Sequence, residues 1–150
     1  MKKLMLAMLL TSAAMPSLAD DVAHKVNTVK QLYTKSGLTN GNTSLKRLAT
    51  PDLKTLFTTA DRATPDGELG CIDYVVSQQG QDYDEREILR TLKINALSNG
   101  NVQVRFKNFG ENVNLQYKLI CSTNGCKIDD VLQNNGRSSF KQQVRQCLRG

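Results

Sequence analysis

All four cysteines of this chain, Cys71, Cys121, Cys126 and Cys147, stand behind a leading segment that reads as an export tag, and this pairing of features restricts the fold more than any other. Lys2 and Lys3 open the tag, Leu4 to Ala14 form an apolar run, and Ser17-Leu18-Ala19 has the small-x-small order that a signal peptidase cuts after. An even set of thiols in an oxidising compartment predicts disulfides. Residues 1–19 are therefore expected to be a signal peptide, with residues 20–150 forming one domain around one core.

The apolar run is too short to span a bilayer, which needs about 20 residues, and no later segment is more apolar. No cysteine follows the cut to take a lipid. The expectation is a soluble bacterial protein, periplasmic or secreted. Losing Lys2 and Lys3, with no acid among residues 1–19, takes the formal charge from +6 to +4, too mild to imply nucleic acid. An aromatic content of 5% also leaves few rings for stacking on bases.

Four cysteines allow three pairings, and local geometry prefers one. Cys121 and Cys126 flank Ser122-Thr123-Asn124-Gly125, a hairpin loop that brings their side chains face to face. Cys71 then ties to Cys147 and fastens the C-terminal helix in a buried bridge. Zinc would need closer thiolate spacing and more than one histidine, and no metal or other cofactor is expected.

Val22, Val26, Val29 and Tyr33 recur at helical spacing behind Asp20 and Asp21, with Gly37 as the stop. Ser44 caps a short turn carrying Leu45 and Leu48. Thr50-Pro51 opens a further helix with a stripe of Leu53, Leu56, Phe57 and Ala60. From Cys71 the period changes to two. Leu92, Ile94 and Ala96 alternate with polar residues, Asn99-Gly100 signals a tight hairpin, and Val102, Val104 and Phe106 alternate with Gln103, Arg105 and Lys107. Val113, Leu115, Tyr117 and Leu119 follow a turn at Gly110, and the chain returns through Lys127 to Val131. Ser138 or Ser139 caps a last helix with Phe140, Val144, Cys147 and Leu148 on one side. The expected class is α+β: N-terminal helices packed on a curved antiparallel sheet of about four strands, with a C-terminal helix.

This order of helices, short strand, connection and curved meander is similar to the cone-shaped nuclear-transport-factor-like and cystatin-like folds. The segments Gln78-Gln79-Gly80-Gln81-Asp82-Tyr83-Asp84 and Gly125-Cys126-Lys127-Ile128-Asp129-Asp130-Val131 resemble a family of small exported enterobacterial proteins of unknown function. There the late motif reads as a glycine turn, tryptophan, Lys-Ile-Asp-Asp and an aliphatic residue; here Cys126 stands in the tryptophan position. The resemblance implies no catalytic residues. Some exported small domains of this kind sit beside toxins of contact-dependent secretion systems as immunity proteins, which by analogy points to a protein partner.

Two surfaces suit such a partner. One is the acidic segment Gln81, Asp82, Tyr83, Asp84 and Glu85, continuing to Glu87, on what should be a solvated loop that lacks the order of a calcium-binding hand. The other is a basic stripe of Arg137, Lys141, Arg145 and Arg149 along the last helix. Catalytic patterns are missing from the sequence: no G-x-S-x-G elbow, no phosphate loop, and a single histidine, His24, near the mature N-terminus. The reading is a non-enzymatic periplasmic binding protein, most specifically an immunity or inhibitor protein acting on an exported toxin. The competing reading is a small-ligand protein, or an enzyme working through an Asp and Tyr pair, using a hollow lined by Tyr117, Phe106 and Leu92 with Asp130 at its mouth. An accessory subunit of a cell-envelope assembly is the third.

Overall fold

The computed structural model describes residues 18–150, so the segment expected to be a signal peptide, apart from its last two residues, lies outside them. Helix α1 runs over Leu18–Lys30 and tightens into a 3-10 turn at Gln31–Tyr33. Helix α2, Lys35–Leu48, follows at once because the Thr34 side chain accepts from the backbone N–H of Gly37 and caps it. Gly37 is therefore not the stop that the sequence suggested. It lies in the first turn of α2, where an added Cβ would stand 2.2 Å from the carbonyl oxygen of Gln31, and only glycine lets the two turns pack this closely.

A break at Gly41 (φ 45°, ψ −121°) divides α2, so Leu45 and Leu48 lie on a separate short piece as expected, with Ser44 buried inside it. Helix α3, Pro51–Ala63, is capped by Thr50 and buries the stripe Leu53, Leu56, Phe57 and Ala60. Helix α4, Glu85–Thr91, occupies what was read as loop, and it buries Ile88.

The sheet has five strands in chain order, all neighbours antiparallel. Strands β1 (Lys93–Ala96), β2 (Val102–Asn108), β3 (Glu111–Ser122) and β4 (Gly125–Gln133) are the expected meander, and the two residues Ser138–Ser139 add β5 beside β4. The fifth strand arises because Ser139 pairs with Leu132 while its hydroxyl caps helix α5, Phe140–Cys147. No strand forms around Cys71; the segment there makes one isolated bridge, Val75 to Gly80.

Period-two alternation sorts the sheet into two faces. Val102, Val104, Phe106, Leu115, Tyr117, Leu119, Ile128 and Val131 are buried against the helices. The opposite face carries Gln103, Arg105, Lys107, Asn112, Asn114 and Lys118. A register shift between Lys118 and Leu119 admits an extra residue in β4 at Asp129, a bulge that turns Asp130 toward α5.

Two disulfides close the structure, Cys71 to Cys147 and Cys121 to Cys126. The second joins residues directly opposite each other on β3 and β4, with Cα atoms 4.0 Å apart, and the pair Ser122 and Gly125 narrows the connecting loop to Thr123-Asn124. Cys71 is half-buried and Cys147 exposed, so the longer bridge lies at the surface and not inside as expected.

Candidate functional site

The segment from Cys71 to Asp84 is strapped down by buried side chains, although Asp73, Gln81 and Asp82 remain exposed. The Asn42 side chain donates to the Tyr74 carbonyl at 2.8 Å and accepts from Val76 at 3.0 Å. Gln78 is fully buried and donates to the carbonyl of Leu38. Asn108 accepts from the Asp84 N–H at 2.9 Å and donates to the carbonyl of Asp82 at 3.2 Å. Buried amide side chains that satisfy loop backbone in this way fix its course.

Most of the predicted acidic surface is thereby used in folding. Asp84 caps α4 by accepting from Glu87, Glu87 accepts from the Gly110 N–H at 2.9 Å, and Glu85 lies 3.5 Å from Lys35. Tyr83 packs against the core. Gln81 and Asp82 stay exposed, with Gln81 donating to the carbonyl of Asp73.

The basic stripe is likewise taken up. Lys141 contacts Asp52 and sits 3.1 Å from Asp129, its side chain only 11% exposed, while Arg145 grips Asp52 through contacts of 2.9 and 3.1 Å. These pairs bind α5 to α3 and β4. The hydrogen bond from Lys141 holds the Asp52 carboxyl below its ordinary range, helped by the Arg145 charge. Burial alone would lower Lys141, but its hydrogen bonds to Asp52 and Asp129 outweigh that and raise it. Arg137 and Arg149 are exposed, Arg137 in the turn before β5. The two predicted groups are not brought together: α4 packs on β2, and α5 on α3 and β4.

The hollow between helices and sheet is filled. The Tyr33 ring packs tilted against Phe106 at 5.5 Å and edge-on to Tyr117 at 6.4 Å, and the Tyr33 and Tyr117 hydroxyls lie 2.7 Å apart. Val29 of α1 and Leu53 of α3 are buried in the same cluster. Burial pushes both phenols up, so neither ionises near neutral pH. Asp130 accepts from Ser139, from its neighbour Val131 at 2.8 Å and from the Lys141 N–H at 3.1 Å, so it anchors the start of α5. Among the described residues, no group of three or more His, Cys, Asp or Glu could hold a metal ion, and no helix is long and apolar enough to cross a membrane.

What the sequence reading passed over lies on the other side of the sheet. Arg90, Lys93, Arg105 and Lys107 line an open cleft of about 670 Å³ together with Leu92, Val113, Asn112, Asn114 and Asn135. None of these cations has an ion pair among the described residues. Lys93 and Arg105 face each other directly across β1 and β2. Beside the cleft, Phe109 is 62% exposed at the tip of the β2 to β3 turn with a positive φ of 50°. The alternation of Gln103, Arg105 and Lys107 made a polar face visible in the sequence; its register with Lys93 was not.

No protein-family model matches the chain, and no curated protein matches it. A solved structure of a protein of unknown function from Bacteroides thetaiotaomicron is similar in fold, with a TM-score of 0.51 over 75% of this chain and 88% of that one. At 15% sequence identity this similarity concerns the fold alone.

Proposed function

We propose that this chain is a non-enzymatic binding protein of the bacterial periplasm that recognises another protein, most specifically an immunity or inhibitor protein neutralising an exported toxin. The observation that carries this reading is the filled interior. Tyr33, Phe106 and Tyr117 occupy the space where a ligand-binding cone would be hollow, and Asp130 is committed to holding α5, which leaves the outside for contact. The two disulfides suit a chain that matures where thiols are oxidised, and the leading residues suit export to that place. The resemblance to small exported enterobacterial proteins supports the same setting.

The test is protection. Cells directing candidate toxins to the periplasm are grown with and without this chain, and the two proteins are then mixed in purified form. The reading expects rescue of growth with a stoichiometric complex. Substrate turnover by the chain alone, abolished by Asp130→Asn, would overturn it.

A further inference from the structure

We propose that the outer face of β1, β2 and β3 is a docking cleft for a carboxylate-rich segment of a protein partner. The inference rests on the protein-recognition reading above and deepens it by naming the surface and the chemistry it takes. Lys93 and Arg105 stand directly opposite each other on adjacent strands, both exposed. Like charges in that position work against strand pairing, so folding alone does not account for them. Arg90 from the last turn of α4 and Lys107 from β2 bring two more cations to the same cleft.

Four cations elsewhere meet acids, while others, Lys54 and Arg137 among them, have no ion pair among the described residues, so it is the gathering of four cations in one cleft that sets this face apart. Lys35 meets Glu85, Lys46 meets Asp61, and Lys141 and Arg145 share Asp52. On β1, β2 and β3 the sequence offers a single acid, Glu111, at the turn end of β3. The cleft is thus a concentrated positive field with no internal counter-charge, which favours an anionic partner.

The remaining lining narrows the class. Asn114 donates to Asn135 at 2.6 Å, and Asn112 with the remaining amide groups of this pair can meet a peptide main chain, while Leu92 and Val113, half-buried against the core, add only a small apolar margin. Phe109 stands outside the cleft lining, beside Val113 in a neighbouring depression that also holds Asp82 and Glu111, and offers an aromatic contact to a partner that reaches past the cleft. The ring in the cleft lining, Phe106, is buried at 3% exposure, which leaves Phe109 beside the cleft as a single exposed ring, too few to stack successive bases.

The probe is a fluorescein-labelled peptide of about twelve residues alternating Glu and Leu, followed by anisotropy at about 0.15 M salt. Wild-type protein should bind it saturably and more tightly than a polyphosphate of equal charge. The double variant K93E/R105E should weaken binding by about tenfold or more, while K54E, on the exposed side of α3, should not. All three positions are exposed, and a melt of each variant confirms folding. Absence of saturable binding by the wild type, equal affinity in the double variant, or tighter binding of polyphosphate would overturn the proposal. The two readings fail separately. A toxin held equally by wild type and K93E/R105E removes the cleft but leaves protein recognition standing, whereas peptide binding by a chain that neutralises no toxin supports the cleft and removes the immunity role.

Discussion

The hydroxyls of Tyr33 and Tyr117 lie 2.7 Å apart in the core, and Tyr33 also donates to the carbonyl of Ser77 at 3.0 Å. With its one proton given to Ser77, Tyr33 must accept from Tyr117. Tyr33→Phe therefore orphans both the Tyr117 hydroxyl and the Ser77 carbonyl, whereas Tyr117→Phe leaves Tyr33 its donor bond. Urea unfolding should show a loss of about 1–3 kcal/mol for Tyr33→Phe and about 0.5–1.5 kcal/mol for Tyr117→Phe. A larger loss for Tyr117→Phe would contradict the assigned donor direction.

The cluster of Lys141, Asp52 and Asp129 makes stability depend on pH at both ends. Asp52 is held below its ordinary value, so its contribution is complete above that value and fades as pH falls through the depressed one. Lys141 is raised, so its contribution is complete below the ordinary lysine value and fades as pH climbs through the raised one. Asp52 is half exposed, with a side chain 56% accessible, and the acid-side change should be modest. Melting temperature measured across acid pH should fall less steeply in Asp52→Asn than in wild type. At neutral pH Lys141→Met should cost about 1–2 kcal/mol, since it leaves Asp129 sheltered with only Thr50 as a side-chain partner.

The two disulfides should differ in weight. Cys71 and Cys147 are 76 residues apart in sequence, and Cys121 and Cys126 are 5 apart. In the chain-entropy picture the longer loop restrains the unfolded chain more, by about 2 kcal/mol at equal strain. Cys71→Ser should lower the melting temperature further than Cys121→Ser in the same buffer; the reverse order would show that native packing around Cys126 dominates.

Much of this architecture is legible in the residues. Cys121 and Cys126 around a short loop, Asn99-Gly100 between alternating runs, and Thr50-Pro51 before an apolar stripe each carry a local physical signal, and each appears where it points. Helix α4 escaped because seven residues with one buried side chain, Ile88, show no period. Its N-cap was nonetheless written in Asp84, a preferred capping residue whose carboxylate accepts from the Glu87 N–H. Gly37 misled for another reason: a glycine that ends a helix and a glycine that admits a neighbouring turn look alike until the contact with Gln31 is known. The candidate site was the least legible part. Sequence shows that Lys141 and Arg145 are cations, but only tertiary packing reveals that Asp52 neutralises them while Lys93 and Arg105 are left facing each other.

Phe109 offers a test in which stability and function separate. It adopts a left-handed φ of 50° ahead of Gly110, a position where asparagine is at ease and a bulky ring is not. Phe109→Asn should raise stability by about 0.5–1 kcal/mol while weakening the binding of the acidic peptide. Unchanged binding would remove Phe109 from the docking surface.

The account turns on whether the exposed sheet face is shaped for contact at the expense of folding, and Lys93→Glu tests that in one protein. The substitution converts the opposed pair with Arg105 from repulsive to attractive. Thermal unfolding and peptide anisotropy on the same sample should move in opposite directions: stability up by about 0.2–1 kcal/mol and affinity down. A variant that is less stable than wild type, or that binds the peptide as well, would contradict it.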